Sequence, residues 1–571
     1  MSMSKKPAAH KPAGATCTPP TRPPWETYPV TPGLDARSFQ VPPEGMSLEQ
    51  YGRALDSLKK YLKVQQSRFL GYQVNQNLDY ARDLASLLDI HVNNVGDAFG
   101  SGNLTVNTKF LERPVLDYYA SLWNAKWPHD PSDGESYWGY ILSMGSTEGN
   151  LYALWNAREY LSGKFLIEDD GIGESPQRGL RPRRLLYVQG KAPSENPNAF
   201  TPVAFYSEDT HYSLVKDSMV LGLSTFYEMG TTRYPDMNPL APGKPWPHEV
   251  PSQGGGAGPG SIDINALVTL VEFFASKGHP VICCFNLGST FKGAYDDVEM
   301  AGKALMPIFE KHGLHERAIH WDPRNPKKHH LRKGYWIHVD GALGASYMPF
   351  IEMAFNRGLI AQRGPAFDFR LPFVSSMVTS GHKWIGAPWP CGIFITKTKY
   401  QMRPPDNPAY IGSPDTTFAG SRNGLSAAIL WSHIARTSHE QQMRKALLTE
   451  EMAAYAVTRL RDLQKKLGED LWVERSPLAL TIRFKKANPD IVFKYSLSGE
   501  ALYVNGELRA YNHLFAMEST TRDLIDELIT DLSKPGAFPA QDPHRETQSK
   551  TAARHDVHRL VHYPTHARGF H

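Results

Sequence analysis

SSMVTSGHKWIGAPWPCGIFITK, residues 375–397, is the stretch that decides the fold class of this chain. An apolar, strand-like run lies at each end of it, and Lys383 follows the first run. Glycine, tryptophan and proline surround this lysine. Such an apolar neighbourhood lowers the pKa of an amine and makes its neutral form available for imine chemistry. Taken alone, a His-Lys pair is weak evidence, because most lysines are solvated surface residues.

A second stretch, GYWIHVDGALGASY at residues 334–347, lies upstream. Its strand-like run ends at Asp340 and small residues follow, so a flat ligand can approach the carboxylate closely. An aspartate in this position can keep a pyridine nitrogen protonated and so make the ring an electron sink. From this segment alone, Asp340 could instead be an ordinary turn or helix-cap residue.

A third stretch, MGSTEGNLYALWNAREYL at residues 144–161, predicts a tight turn at Gly145 followed by an amphipathic helix. The start of a helix offers free N–H groups and the positive end of the helix dipole, so Ser146 and Thr147 are candidates for binding a phosphate. The alternative is an ordinary helix, in which Ser146 or Thr147 caps the first turn and Glu148 adds a favourable charge.

Short apolar runs alternate with helical patterns through the middle of the chain. This alternation predicts an α/β architecture with a mostly parallel sheet. The predicted strands are RLLYVQ, AFYS, HPVICCFNLG, GYWIHVD, SSMVTS and CGIFITK, and the predicted helices between them include NLYALWNAREYL and DINALVTLVEFFASKG. Residues 235–260, rich in proline and glycine, predict a long surface loop.

The domain organisation follows from composition and periodicity. Ordered structure is expected to begin with a helix capped by Ser47, because leucines recur at helical spacing after it. The expected parts are a disordered proline-rich arm at 1–45, a helical segment at 46–115, a large ligand-binding domain at 116–400, a small C-terminal domain at 401–534 and a flexible tail at 535–571.

Composition excludes several classes of function. With 62 Lys plus Arg against 58 Asp plus Glu, the formal net charge is only +4, and nucleic acid is not an expected partner. No apolar run has the length of a membrane span, and the N-terminal segment lacks the apolar core of a secretory signal. Four cysteines, with Cys283 and Cys284 adjacent, do not indicate a disulfide framework. We therefore expect a cytoplasmic protein.

The phosphate cradle, the strand-end aspartate and the lysine occur in that order along the chain. In this order, and with further matching blocks, the chain resembles the group II pyridoxal 5'-phosphate (PLP) decarboxylases, in the branch of bacterial histidine, plant serine and valine decarboxylases. The resemblance covers roughly residues 69–424. It rests on LGYQVNQN, NNVGDAF, WGYILSMGSTEGN, YSEDTHYSLVK, NLGSTFKGAYDD, IHVDGALGA, SGHKWIGAPWPCG and DTTFAGSRNG.

The resemblance implies a PLP-dependent transferase fold of type I, like that of aspartate aminotransferase. This fold has a large domain with a mostly parallel, seven-stranded-type sheet and a small α+β C-terminal domain. Enzymes of this type generally build their active site at a dimer interface, so the resemblance also implies a homodimer.

The resemblance further implies that Lys383 carries the cofactor as a Schiff base and that Asp340 pairs with the protonated pyridine nitrogen. His211 would stack on the ring and orient the substrate carboxylate, with Ala342 on the opposite face. Tyr410, in RPPDNPAYIGSPD, is the candidate acid that protonates the α-carbon, and packing within a proline-rich linker is its alternative role. The other implied cofactor contacts are Ser146, Thr147, Thr290, Asp296, Ser380 and His382.

Two positions depart from common family forms: Gly341, where alanine is usual, and Trp389, where a smaller apolar residue is frequent. Together with Trp384 and Phe418, Trp389 predicts an apolar pocket, which disfavours an imidazole or carboxylate side chain on the substrate. We expect decarboxylation of a neutral aliphatic L-amino acid such as valine to its amine and CO2, with histidine as the alternative substrate.

Other functions are left open at this stage. A different PLP reaction, such as transamination, would retain Lys383 and Asp340, although the motifs identify no arginine for the substrate carboxylate. A catalytically silent scaffold protein would have no need of these residues. A metal site at His329 and His330 is disfavoured because their spacing matches no structural zinc pattern, and no metal is expected.

Overall fold

The computed structural model describes residues 29–169, 184–321, 327, 329–402 and 408–539. Contacts between residues divide the chain into two compact units, one ending at Arg68 and one beginning at Phe69. Most of the arm expected at 1–45 and of the tail expected at 535–571 lies outside the described residues.

The first unit contains a short 3₁₀ helix, Ala36–Phe39, and one long helix, α1, Leu48–Ser67. Ser47 Oγ accepts a hydrogen bond from Gln50 N–H, and the Gln50 side chain accepts one from Ser47 N–H. This reciprocal capping box satisfies two backbone donors at the helix start. The predicted helix start at Ser47 is therefore confirmed.

The second unit contains the remaining elements. Its strands are β1 Tyr137–Leu142, β2 Lys164–Asp169, β3 Arg184–Gln189, β4 Val203–Phe205, β5 Val281–Asn286, β6 Arg317–His320, β7 His329–Arg332, β8 Tyr335–Asp340, β9 Val374–Ser380, β10 Gly392–Lys397, β11 Thr481–Lys485, β12 Ser498–Val504 and β13 Glu507–Phe515. Its helices are α2 Ala81–Leu84, α3 Lys109–Leu122, α4 Ser146–Leu161, α5 Tyr212–Leu221, α6 Phe226–Arg233, α7 Ile264–Ser276, α8 Val298–Lys311, α9 Gly344–Asn356, α10 Gly424–Arg436, α11 His439–Leu467, α12 Pro489–Tyr495 and α13 Arg522–Leu532.

A mixed central sheet with the strand order β1-β10-β9-β8-β5-β4 organises this unit. Strands β4, β5, β8 and β9 are parallel to one another, whereas β10 is antiparallel to both β9 and β1. Every residue of β1, β5, β8 and β9 is buried, as expected of strands covered on both faces. The predicted α/β architecture with a mostly parallel sheet is confirmed, although the sheet has six strands within the described residues rather than seven.

The strand register brings several chain segments to one edge of the sheet. Leu142 at the end of β1 pairs with Gly392, which pairs with Ser380 at the end of β9. Asp340 at the end of β8 pairs with Asn286 at the end of β5. Ligands of open α/β sheets bind outside the carboxyl ends of the strands, so this edge is where a site is expected.

A smaller antiparallel sheet with the order β11-β13-β12 lies in the C-terminal part of the chain. Its apolar core contains Ile482 and Phe484 of β11 together with Leu460 of α11 and Leu528 of α13. An α+β arrangement of this region agrees with the predicted fold class. Among the described residues, no helix combines the length and the apolar character needed to cross a bilayer.

The strand predicted at RLLYVQ is confirmed as β3. It pairs with β2 in a separate two-stranded antiparallel sheet and does not join the central sheet. Residues 235–260 do not form a simple surface loop, because Trp246 and Val250 are buried in the main core. The Trp246 indole N–H donates to the carbonyl of Tyr234 at 3.0 Å, which fixes this loop on α6.

Candidate active site

A cavity of about 250 Å³ lies at the carboxyl edge of the central sheet. Its walls come from the β1–α4 turn, the start of α5, the ends of β5 and β8, and the turn that follows β9. The predicted site residues in its lining are Ser146, Thr147, His211, Thr290, Asp340, Ala342, Ser380, His382 and Lys383.

Helix α4 begins at this cavity without a side-chain cap. Gly145 precedes it with φ of 71°, in the left-handed region that favours glycine. A Cβ on Gly145 would lie 2.6 Å from His382 Cε1, so a larger residue does not fit. The backbone N–H of Ser146 donates to Ser380 Oγ at 3.1 Å. The interpretation of Ser146 or Thr147 as an ordinary cap is therefore wrong, and the helix start faces the cavity.

Glu148 holds the turn that leads into α4. Its carboxylate accepts hydrogen bonds from the backbone N–H groups of Ser143 at 2.7 Å and Met144 at 2.9 Å. Burial raises the pKa of Glu148, and these two hydrogen bonds oppose that effect. The turn is thus fixed from within the helix, which leaves the cavity side of the helix start open to a ligand.

Asp340 is buried at the end of β8. Its Oδ2 accepts a hydrogen bond from Asn150 Nδ2 at 2.8 Å, and its Oδ1 accepts one from the Ala342 N–H at 3.1 Å. Burial raises the pKa of Asp340, while the positive charge of Lys383 and the two hydrogen bonds lower it. A buried carboxylate held by directed donors is suited to keeping a proton on an aromatic nitrogen.

Lys383 lies in a π-helical turn, Gly381–Ile385, that follows β9 directly. Its carbonyl accepts a hydrogen bond from the Asn75 N–H at 3.3 Å, which fixes the backbone of the turn. Burial lowers the pKa of Lys383, and the charge of Asp340 opposes this effect. Within the described part of the chain, its Nζ forms no hydrogen bond or ion pair. The amine is therefore available for chemistry in the cavity.

His211 is the cap residue of α5 and also lines the cavity. Its Nδ1 lies 2.8 Å from Ser213 Oγ and accepts a hydrogen bond from the Ser213 N–H at 3.3 Å. Ala342 and Thr290 lie in the same lining. The cavity thus brings together residues that are separated by more than a hundred positions in the sequence.

Two of the predicted site residues are not in the lining. Asp296 is buried, and its carboxylate accepts hydrogen bonds from the backbone N–H groups of Ile262 at 2.7 Å and Asn286 at 2.6 Å. It holds the loop after β5 and does not face a ring in the cavity. Tyr410 is 84% exposed and also lies outside the lining.

The three aromatic residues expected to shape an apolar pocket do not line the cavity either. Trp384 is buried against Tyr347, with ring centroids 5.1 Å apart. Trp389 donates from its indole to Ser426 Oγ at 2.9 Å, and Phe418 is 43% exposed. The expectation of an apolar pocket built from these three residues is therefore wrong. The argument that favoured valine as the substrate depended on this pocket and is withdrawn.

Sequence reasoning missed four polar residues of the lining: Asn150, Ser213, Asn286 and Ser289. Asn150 could have been found, because it follows Ser146 by four positions and so shares its helix face. Asn286 also stands at a strand end, as Asp340 does. Among the described residues, no cluster of three metal-ligating side chains is present.

Comparisons with known proteins agree with this geometry. Residues 258–459 match the model of the pyridoxal-dependent decarboxylase conserved domain. The crystal structure of L-methionine decarboxylase from Streptomyces sp. 590, in complex with L-methionine methyl ester, is 47% identical with a TM-score of 0.81, and the match covers 89% of this chain and 99% of that chain. The chain belongs to the pyridoxal-dependent decarboxylases.

More distant members of the family match over nearly the same length. Histidine decarboxylase of Solanum lycopersicum is 28% identical over 85% of this chain and 88% of its own. Histidine decarboxylase of Vibrio campbellii is 29% identical over 81% of this chain and 90% of its own. This pyridoxal-dependent decarboxylase is therefore a carboxy-lyase with fold type I, and its cofactor is pyridoxal 5'-phosphate.

The residues of the cavity fit this cofactor. The start of α4 has no side-chain cap and can accept a phosphate, Asp340 can pair with a pyridinium N–H, and the unpaired amine of Lys383 can bond to an aldehyde. A Cβ at Gly145 would clash with His382, which lines the same cavity.

Proposed function

We propose that this decarboxylase acts on an L-amino acid with a neutral, unbranched apolar side chain, L-methionine first. The observation that carries this proposal is the 47% identity over 89% of the chain to an L-methionine decarboxylase. The histidine decarboxylases stand at 28% and 29%. Histidine, the alternative expected from the sequence, is the second candidate because of these relatives.

The chemistry of the cavity rim supports an apolar side chain. Met144 and Tyr212 line the cavity and expose 53% and 59% of their surface. A thioether side chain makes favourable contacts with both residue types. In the described lining the only carboxylate is Asp340, which already accepts two hydrogen bonds, so an imidazole would lose water without gaining an acidic partner.

Pyridoxal phosphate, when bound, supplies a conjugated pyridinium that accepts the electron pair of the breaking bond between the α-carbon and the carboxylate. The chain's own residues would do the rest. Lys383 would hold the cofactor through Nζ, and Asp340 would keep the proton on the ring nitrogen. Ser146 and Thr147 would bind the phosphate, with Ser380 and His382 beside them.

His211 would orient the substrate. Its Nε2 can donate to the α-carboxylate, because Nδ1 accepts from the Ser213 N–H. Ala342 presents a small side chain on the cavity wall and would leave room for a flat ring. Thr290 would contact the ring's polar edge from the loop after β5.

Proton return to the α-carbon requires a further acid. We retain Tyr410 for this role and propose that it acts in the site of a second subunit of a homodimer, because its side chain is 84% exposed on its own chain. Met144 and Tyr212 of the cavity lining are exposed on the single chain and would be covered by such a partner.

The cellular location is also a proposal. The thiols of Cys283, Cys284 and Cys391 are buried and form no disulfide within the described residues. This pattern is consistent with a reducing compartment and supports a cytoplasmic enzyme.

The substrate proposal is tested by amine release from purified, PLP-loaded enzyme against L-methionine, L-valine, L-leucine, L-histidine and L-serine. We expect 3-methylthiopropylamine as the dominant product, with the highest kcat/KM for methionine. If isobutylamine is the dominant product, the substrate is valine, and if histamine is, the substrate is histidine. In either case the enzyme is still an amino-acid decarboxylase. A bound cofactor with no amine from any substrate would contradict the proposal.

A further inference from the structure

Strand β8 carries Trp336, His338 and Asp340 on one face, because residues two apart on a strand point to the same side. All three side chains take part in hydrogen bonds that lead toward the cavity. Only Asp340 of the three lines the cavity itself. The other two lie behind it, in the layer between the sheet and α4.

Trp336 stands at the end of these hydrogen bonds that is farther from the cavity. An indole N–H can only donate, and it does so to Ser376 Oγ at 2.9 Å. The Ser376 hydroxyl lies 2.9 Å from His338 Nδ1 and can donate its proton there. Burial lowers the pKa of His338 to about 3, so this ring is neutral and carries one proton. With Nδ1 accepting, the proton is on Nε2.

Asn150 connects this chain to the cavity. Its Oδ1 lies 2.9 Å from His338 Nε2 and accepts that proton. The amide nitrogen therefore faces the other way, where it donates to Asp340 Oδ2 at 2.8 Å and to Ser213 Oγ at 3.3 Å. Both amide hydrogens and one lone pair of the amide oxygen are used.

Ser213 extends the chain to the second group beside the ring. With its oxygen accepting from Asn150, its hydroxyl proton points to His211 Nδ1, 2.8 Å away. This acceptor role for Nδ1 puts the His211 proton on Nε2. One asparagine thus reaches both residues that the proposed function assigns to the cofactor ring and the substrate carboxylate.

We propose that Asn150 is a positioning residue that aims the Asp340 carboxylate at the ring nitrogen and, through Ser213, supports the His211 tautomer that the Ser213 N–H also requires. The carboxylate of Asp340 can only accept, so it orients the amide of Asn150, and His338 Nε2 lies on the side of the amide oxygen. This inference rests on the proposed roles of Asp340 and His211. It adds Asn150 as a residue that affects the reaction through Asp340 and His211.

The test compares Asn150→Ala with Asn156→Ala in the full-length enzyme. Asn156 is a matched control, because it is a buried asparagine on the same helix whose Oδ1 accepts from the Met402 N–H at 3.1 Å. The readouts are the dissociation constant of PLP from the apoenzyme, the 15N chemical shift of the ring nitrogen in labelled cofactor, and kcat and KM separately.

For Asn150→Ala we expect cofactor binding weakened about 10-fold to 100-fold, because a hydrogen bond to a charged group is lost. The 15N shift should move toward that of an unprotonated pyridine, and kcat should fall by a larger factor than KM rises. Asn156→Ala should keep the wild-type shift and affinity.

Changes at the far end of the chain keep the inference testable if Asn150→Ala does not fold. His338→Phe removes the donor to Asn150 and should reproduce in part the change in the 15N chemical shift seen in Asn150→Ala. His338→Gln supplies an amide N–H in place of the imidazole N–H and should restore the wild-type 15N shift. A protonated ring nitrogen and wild-type cofactor affinity in both Asn150→Ala and His338→Phe would overturn the inference.

Asp340→Ala separates this failure from failure of the proposed function. If Asp340→Ala loses the protonated ring while Asn150→Ala keeps it, only the role of Asn150 is wrong. If Asp340→Ala also keeps the protonated ring, the role assigned to Asp340 is wrong, and the inference falls with it.

Discussion

At the scale of single residues, the properties of Lys383 come from its position rather than from its chemistry alone. Lys383 is half-buried in the π-helical turn after β9, where desolvation lowers its pKa and its side chain lines the cavity. The buried lysines among the described residues, Lys109, Lys292 and Lys333, do not line this cavity. Lys109, for example, has a pKa lowered to about 8 by burial, but it donates to the carbonyl of Gly100 and does not line the cavity.

These two lysines provide a matched pair of variants. Lys383→Ala should abolish the visible absorbance of bound PLP and reduce kcat at least about a thousandfold, because the covalent attachment point is lost. Lys109→Ala should keep the absorbance and most of the activity. Absorbance spectra of reconstituted enzymes and steady-state rates provide the measurement. Visible absorbance with full activity in Lys383→Ala would contradict the assignment.

Asp217 of α5 gives a prediction about pH. It is buried, its Oδ2 has no hydrogen-bond partner among the described residues, and burial raises its pKa to about 7. Between about pH 4 and pH 7 the unfolded chain therefore ionises this group while the folded chain keeps it protonated, so its contribution to stability falls as pH rises.

Asp217→Asn removes that contribution. The gain in unfolding free energy over wild type should grow from pH 4 to pH 7, reach about 1–3 kcal/mol and stay constant above pH 7. Denaturant unfolding at several pH values measures it, with exposed Asp236→Asn as the control. A gain that did not depend on pH would show that the Asp217 carboxyl is already ionised in the folded enzyme.

Local order along the chain explains why the sequence could place Lys383 and Asp340 in one cavity. Asp340 ends β8 and Lys383 follows β9 by three residues, and the edge of a parallel sheet brings such strand ends together. Trp389 was misassigned because its indole turns toward Ser426, a tertiary contact that no local pattern contains. The helix spacing places Asn150 on the same face as Ser146, but its contacts with His338 and Asp340 are tertiary and could not be predicted.

At the scale of elements, the start of α4 depends on one backbone conformation. Gly145 has φ of 71°, and a Cβ there meets His382. Gly222 at the end of α5 also has a positive φ, of 60°, but a Cβ there would meet nothing within 4 Å. Comparing substitutions at the two glycines therefore distinguishes the effect of backbone strain from the effect of disturbing the start of α4.

Gly145→Ala should weaken PLP binding about 10-fold to 100-fold, because strain and the clash with His382 displace the helix start. Gly222→Ala should cost about 1 kcal/mol of stability and leave the affinity for the cofactor near wild type. Fluorescence titration of the apoenzymes with PLP measures both. Equal affinities in the two variants would mean that α4 does not bind the phosphate.

Most elements around the site were predictable, because strands covered on both faces have continuous apolar sequences. The exception, β3, has the same apolar character as the central strands, and only pairing with β2 distinguishes it. Pairing partners of strands are set by contacts distant in sequence. The number of strands in the central sheet and the burial of Trp246 also depend on contacts distant in sequence, so the sequence pattern did not predict them.

At the scale of the whole molecule, the proposed acid Tyr410 is separated from the cavity of its own chain. Its side chain is 84% exposed, and it is not among the described residues that line the cavity. Met144 and Tyr212 expose apolar surface at the same rim. A second copy that covers this rim would shield the apolar surface and bring a Tyr410 to the site.

Mixing two inactive variants tests this arrangement. Tyr410→Phe should bind PLP and substrate normally but release little amine, and Lys383→Ala should be inactive for lack of the covalent site. If Tyr410 acts across the interface, a mixed dimer of the two has one complete site, and random assembly after co-expression should restore about a quarter of wild-type activity. If Tyr410 acts within its own chain, no mixed dimer has a complete site and activity stays at background. Full activity of the Tyr410→Phe variant alone would show that Tyr410 takes no part in the reaction. A monomeric mass in light scattering would show that no site is shared between two subunits.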